Sequence, residues 1–581
     1  MTMQASTSGR RNAATVLLCA AIVAAVAAAL IGLTGGTAIG PLVLRSPIRP
    51  LVVAIALLVA SWATAGAGLL SLVTMLAHSR RAAASAAAAT AGAVLVCALA
   101  WNTRAAGGSD SSCYVLQAEA FAHGHAELAN PVARVLPDEP NAVFAPTGFL
   151  PAREYGEAVP ICPPGLSLAM AAASLVHPSA VFLVVPVTAA LTVWLTFLYG
   201  RRLDGDSTGA WAAVLVAASP IFLYQAVQPM SDVPAAAAWM AALVSASPLA
   251  AGGWASVAVL VRPNLLLLVP LLALTEGIGG ASFAAVTRRS WRLLAGLLPG
   301  VLLLLALNAV RYGAPLATGY GSTDALFSRA HVYPNLLRYP RWLLETHTPF
   351  LLLSVAGPFV LRRDSARARL AWISLAAAGL LVATYLAYTV FDDWWYIRFL
   401  LPALPMLLAL SVATLRATAR ALPARVAGMA APILCGALAI AFVRVGVARH
   451  VTQLPRLEAR FRLTGEFAAR ALPSAAVVIA VQQSGSVRVH GGRDTIAWDA
   501  IGAHDLDGTI ARLERRGRLV FLALEDGEEP RFRERFLGER FGALEWPPTA
   551  VIEAAVRVRV FDVRDRARFL LGERIETALV R

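Results

Sequence analysis

The sequence predicts a mainly α-helical, polytopic bundle of about 13 transmembrane spans, followed by a soluble α/β domain. Three observations predict it. The 581 residues are 58% hydrophobic and only 15% charged, against roughly a quarter charged in soluble domains. The apolar excess is confined to residues 1–449, whereas 450–581 is composed like a soluble domain. Arginines cluster in alternate connections between the apolar runs. Together these exclude a soluble globular enzyme, a disordered chain and a collagen-like rod.

A bilayer core needs about 20 apolar residues per helix. Runs 13–33, 50–77, 84–101, 179–199, 293–311, 369–391 and 422–443 meet that, and 209–224, 233–249, 348–361 and 399–415 are shorter. The run 251–276 is interrupted by Arg262-Pro263-Asn264. A charge at mid-membrane costs at least ~2.5–3.5 kcal/mol, and proline breaks the helical ladder. Two short helices meeting at a tip that carries Arg262 are therefore expected. Residues 161–176 are too short to span and begin near Pro163-Pro164, so an interfacial or re-entrant helix is expected there.

The arginines set the orientation. All 50 basic residues are arginine. With the N-terminus inside, short cytoplasmic loops hold Arg10/Arg11, Arg80/Arg81, Arg201/Arg202, Arg288/Arg289/Arg292, Arg362/Arg363/Arg367/Arg369 and Arg416/Arg420/Arg425. Twelve of the 16 acids in residues 1–449 fall on the other side. This is the positive-inside pattern, and it places the chain in a cell (plasma or inner) membrane. The net charge of +15 belongs mostly to these loops, so no nucleic-acid partner is expected. The organisation read is 1–83 as extra N-terminal spans, 84–449 as the membrane core with a large outside loop at 102–178, and 450–581 as an extracytoplasmic domain. In that domain strands are expected at 475–481, 486–491, 518–524 and 553–563, and a helix at 529–541. No nucleotide-binding glycine signature is present.

The chemistry is expected on the outside face. Asp110, with Tyr114, Gln117 and Glu119 behind it, follows the third span; a carboxylate there suits a general base or, equally, a helix cap. Asp232 in QPMSDVP is either a helix start or a second acid on that face. Arg262 needs an anionic partner: a phosphate, whose oxygens match its fork, or a salt bridge to Asp110 or Asp232. Arg398 in FDDWWYIRF enters the next helix beside Asp393, among tryptophans that suit an interfacial belt. Glu154-Tyr155 shape the loop. His123, His125, His331 and His347 read as surface histidines, and no metal-ligand motif or cofactor is expected; a divalent ion, if used, has no motif to hold it. Of five cysteines, Cys113 and Cys162 share the outside loop, and a disulfide between them is not expected unless the loop is oxidised.

In order and membrane side these motifs resemble the GT-C superfamily of polytopic glycosyltransferases, which includes protein O-mannosyltransferases and the lipid A aminoarabinose transferase. The resemblance covers about 84–449. It rests on Asp110 with Tyr114, Gln117-Ala118 and Gly124; Pro163-Pro164-Gly165-Leu166; Asp232; Arg262-Pro263; Tyr312-Gly313-Ala314-Pro315 to Gly319; and Arg398-Phe399 to Pro402 and Pro405. Asp110-Ser111 stands where the O-mannosyltransferases have an Asp-Glu pair.

The resemblance implies a hexosyl- or pentosyltransferase that moves a sugar from a polyprenyl-phosphate carrier to a glycan, lipid or protein hydroxyl on the outer face, amid membrane lipids. Asp110 would be the base and Asp232 its aid, Arg262 and Arg398 would hold the donor phosphate, and Tyr114, Glu119, Tyr155, Tyr320 and Asp393 would line the substrate site. A transporter or lipid flippase is the alternative, which broken helices with an intramembrane arginine also suit.

Overall fold

The computed structural model describes residues 80–275, 283–321 and 323–581, and before them 48–65, two short strands at 37–39 and 42–44, and positions 13 and 17. The Arg10/Arg11 loop, nearly all of the expected span 13–33 and residues 66–77 of the expected span 50–77 lie outside the described residues.

The chain is mainly helical and multi-pass. Among the described residues five helices are long and apolar enough to cross a membrane: Arg80–Ala100, Pro178–Asp204, Ala284–Tyr312, Ser365–Leu386 and Val426–Ala448. Three bent pairs raise this to eight if each is one span: Asp206–Ala218 with Pro220–Ala226 (66°), Arg329–His347 with Pro349–Val360 (110°), and Trp394–Leu400 with Leu404–Ala419 (84°). A proline at or beside each break removes a ladder hydrogen bond and turns the chain. The helix Phe283–Tyr312 leaves Trp291, Leu298, Leu302 and Val310 more than half exposed, which suits contact with lipid rather than water.

Asp232–Val244, Pro248–Val261 and Pro263–Ala273 are shorter apolar helices, and the break between the last two falls at Arg262 as expected. At 13 residues, Asp232–Val244 is about 20 Å long, short of a hydrocarbon core of about 30 Å. Pro248–Val261 lies so close to Phe283–Tyr312 that a Cβ on Gly252 or Gly296 would overlap backbone of the facing helix. Small residues at this crossing let the two backbones touch.

The two ends of the bundle differ. At one end the fully buried carboxylate of Asp204 binds Arg367 (2.9 Å), Arg420 (2.8 Å) and Arg416 (3.5 Å). Arginines from two of the expected cytoplasmic loops therefore converge on an acid that adjoins a third, the Arg201/Arg202 loop. Arg202 donates there to Leu243 O at 2.8 Å, tying the last turn of Asp232–Val244 to that end. Asp232, at the first turn, points to the opposite end.

A pair of short strands, β1 (Thr37–Ile39) and β2 (Leu42–Leu44), precedes the first described helices. The large loop folds into a small antiparallel sheet of β3 (Leu128–Ala129), β4 (Phe149–Pro151) and β5 (Glu157–Pro160), with β5 central. The segment near 161–176 is a helix, Pro164–Ser174, started by Pro163-Pro164.

The tail is an α/β domain with β6 (Ala476–Ile479), β7 (Asp494–Ile496), β8 (Leu519–Glu525), β9 (Ala550–Ile552), β10 (Val558–Asp562) and β11 (Ala578–Val580) in the order β11-β9-β10-β8-β6-β7. The expected strand at 486–491 is instead the helix Ser484–Gly491. It connects β6 to β7, which pair in parallel, and a parallel pair needs a crossover rather than another strand. The expected helix 529–541 ends at Arg535, shortly before Gly538 takes a φ of 92°. The expected strand 553–563 begins only at Val558, because the chain first turns back from β9, with which β10 pairs antiparallel.

Candidate active site

Asp110 stands in the first turn of the helix Gly108–Ala122, where a carboxylate meets the positive end of the helix dipole. Gly108 at φ 61° makes the entry turn. The side chain does not cap its own helix: Arg398 Nη2 donates to Asp110 Oδ2 at 2.8 Å. Arg398 is carried by the tight helical turn Trp394–Leu400, which is bent by 84° from the following helix Leu404–Ala419. Its side chain is 14% exposed and that of Asp110 37%.

Asp232 and Arg262 form a second pair. Arg262 Nη2 donates to Asp232 Oδ1 at 2.5 Å, and the carboxylate is fully buried. The half-length helices starting at Asp232 and ending at Val261 bring both residues to the same end of the bundle. Asp232 therefore serves Arg262 and makes no side-chain cap; Arg262 meets a protein carboxylate, the salt bridge weighed above.

The two pairs belong to one cluster. The guanidinium carbons of Arg262 and Arg398 lie 5.7 and 5.3 Å from the centre of the same Phe399 ring. Tyr114 Oη donates to Ser231 Oγ at 2.9 Å, and Arg262 Nε donates to the same oxygen at 3.4 Å. Met230 sulfur accepts from Ser111 Oγ at 3.5 Å and Arg398 Nη1 at 4.0 Å. Burial pushes the Tyr114 phenol up, and the Asp110 charge adds to this, so Tyr114 stays a neutral donor. Arg262 Nη1, Arg398 Nε and Asp232 Oδ2 are buried without a partner among the described residues. Two donors and one acceptor thus stand unsatisfied in an otherwise closed polar cluster, an uncommon and costly arrangement.

The other expected site residues divide. Tyr320 is near: the charges of Asp110 and Arg262 reach its phenol. Glu119 is exposed, and its charge reaches Arg488 of the tail domain. Tyr155 bonds to Leu136 O and, at 3.0 Å, to Glu139 O, fixing the loop. Asp393 is exposed beside Asp392, which pairs with Arg338 at 2.5 Å. His347 is not a surface histidine: it is fully buried, with Nε2 2.8 Å from Ser219 Oγ and Nδ1 2.9 Å from Thr346 Oγ1. No group of three or more metal-ligating side chains occurs among the described residues. Met230, Ser231 and Phe399 lie inside the QPMSDVP and Arg398-Phe399 stretches, but sequence reasoning gave them no role.

Cys113 and Cys162 form a disulfide, contrary to expectation. It ties the Asp110 helix to the Pro163-Pro164 turn. Beside it, with its amide oxygen turned to Arg311, Gln117 accepts from both terminal guanidinium nitrogens at 2.7 and 3.0 Å. Arg311 also donates to Ala126 O at 3.0 Å.

The helical bundle with a large folded loop and a polar cluster at one end is a fold also met among solved structures. Among solved structures, the chain is similar to ArnT from Cupriavidus metallidurans. The apo form matches at TM-score 0.50 and 15% identity, over 81% of this chain and 96% of that one. The form bound to undecaprenyl phosphate matches at TM-score 0.52 and 14% identity, with the same coverage. No family model and no curated protein sequence matches.

Proposed function

We propose that this chain transfers a hexose or pentose from a polyprenyl-phosphate carrier to an acceptor hydroxyl of a glycan, lipid or protein on the outer face of a cell membrane. One observation carries the reading: two buried arginines share one aromatic ring, each keeps an unpartnered donor, and a half-exposed carboxylate adjoins them. Such donors suit a phosphate. The same fold binds undecaprenyl phosphate in the ArnT structure, which supports a carrier of that class.

In this reading Asp110 takes the proton of the acceptor hydroxyl. The acceptor oxygen bonds to the anomeric carbon as the carbon–oxygen bond to phosphate breaks, and that electron pair leaves with the carrier phosphate. Arg398 and Arg262 stabilise the growing charge. Asp232 holds Arg262 in place, and Tyr114 and Tyr320 line the acceptor side. Glu119, Tyr155 and Asp393 support the surrounding loops. The orientation proposed is N-terminus inside, 13 spans, with the tail domain outside; convergence of Arg367, Arg416 and Arg420 on Asp204 supports grouping those loops on one side.

Binding tests the reading. Undecaprenyl phosphate should raise the melting temperature of the purified protein, and undecaprenol, which lacks the phosphate, should not. Equal shifts would show that only the chain is bound.

A further inference from the structure

The tail domain grips the chain on both sides of Asp110. In open α/β sheets the carboxyl ends of the parallel strands form the crevice that holds ligands. Here that crevice receives the protein's own outside loop. Beyond β6, Thr147 Oγ1 donates to Val481 O at 2.7 Å, and Thr147 N–H donates to Ser484 Oγ at 3.0 Å. At β7, Asn130 Nδ2 donates to Thr495 O at 2.9 Å, and Ala497 N–H donates to Val143 O at 2.8 Å. Glu139, only 4% exposed, is bound by Thr509 and Arg512 of the next helix.

Further contacts fall on the residues that flank Asp110. Ala106 N–H donates to His490 Nε2 at 3.2 Å. The Phe461 ring covers Gly107, leaving no room for a Cβ there. Gly485 meets Ser112 so closely that a Cβ on Gly485 would overlap Ser112 Cβ and stand 2.8 Å from its Oγ. Among the described residues, the side-chain hydrogen bonds and salt bridges of Asp232, Arg262 and Arg398 are all made within residues 84–449. The domain therefore touches the setting of the carboxylate and not that of the arginine donors.

We propose that the tail domain is a positioning module, in which Gly485, Phe461 and His490 hold residues 106–112 so that Asp110 stays opposite Arg398. Turnover depends on this docking and carrier-phosphate binding does not. The inference rests on the reading of Asp110 as the base, and the experiment separates the two.

The full-length protein is compared with Gly485→Ala, Ser112→Gly and the double variant. Undecaprenyl phosphate binding is measured by thermal shift, and turnover by release of labelled sugar from a polyprenyl-phosphate sugar. Gly485→Ala should bind like wild type, with kcat lower by about 10²-fold and KM unchanged, since a misplacement of about 1 Å can cost that much. Ser112→Gly removes the atoms in the way, so the double variant should turn over as fast as Ser112→Gly alone. Unchanged turnover in Gly485→Ala, or a joint loss of binding and turnover that Ser112→Gly does not rescue, overturns the positioning role while leaving the function intact. A wild type that neither binds the phosphate nor releases sugar overturns the proposed function, and the positioning role with it.

Discussion

Arg398 Nη2 and Asp110 Oδ2 are 2.8 Å apart, so the guanidinium read as a phosphate ligand holds the carboxylate read as the base. The two roles are compatible if the partners exchange. When Asp110 takes a proton it loses the charge that attracts Arg398, at the step in which the leaving phosphate gains one.

The exchange predicts an unusual phenotype for Asp110→Asn. Transfer should fall by about 10²-fold or more, while undecaprenyl phosphate should bind roughly tenfold tighter, because a charge-assisted hydrogen bond no longer competes. In an Arg398→Gln background the gain in affinity should vanish. A gain that persists there would mean general electrostatics rather than release of Arg398.

Arg262 and Asp232 behave differently because the carboxylate is fully buried. Removing one partner of a buried pair costs about 3–5 kcal/mol. Arg262→Ala and Asp232→Asn should each lower the melting temperature of the unliganded protein. Asp232→Leu combined with Arg262→Met should regain stability but not phosphate binding. A double variant that binds undecaprenyl phosphate like wild type would remove Arg262 from the site.

The large loop that follows the helix Arg80–Ala100 should be sensitive to pH. Burial first, then a hydrogen bond shared with Glu157 and the charges of Glu157 and Glu154, push Glu127 up to about 7, with Arg311 opposing. A folded value above the ordinary one means that its contribution is complete below about 4.5 and is lost as pH rises through about 7. Melting temperature should therefore fall between pH 5 and pH 8 by more in wild type than in Glu127→Gln. Parallel pH profiles would place the sensitivity elsewhere.

The Cys113–Cys162 bond closes a loop with a sequence separation of 49, for which chain entropy gives about 4 kcal/mol. Cys113→Ser should lower the melting temperature, and a reducing agent should do the same to wild type but not to the variant. A reductant effect that persists in Cys113→Ser would show that this bond is not its target.

Reporter fusions read the proposed orientation. Fusions after 205 and 365 should report cytoplasm, and those after 330 and 500 the outside. A cytoplasmic signal at 500 would reverse the tail and change the span count.

The apolar runs and the break at Arg262 were legible, because a span tolerates neither a charge nor a proline at its middle, and the four charged residues that the structure clusters were singled out by their places beside those runs. Their pairing was not: Asp110 and Arg398 are 288 residues apart, and spacing does not choose among Asp110, Asp232 and a phosphate for Arg262. The disulfide was hidden for the same reason, since only the fold brings Cys162 to the Asp110 helix. The strand expected at 486–491 failed because its alternation was weaker evidence than the crossover demanded by parallel β6 and β7.

The most direct measurement gives the purified, reconstituted protein a polyprenyl-phosphate carrier bearing a labelled sugar and follows free polyprenyl phosphate together with the label. Wild type should release one carrier phosphate per sugar transferred, and Asp110→Asn should bind the carrier yet release about 10²-fold less. Sugar-bearing carrier that is bound or moved across the bilayer intact, with no bond broken by wild type, would contradict the proposed transfer.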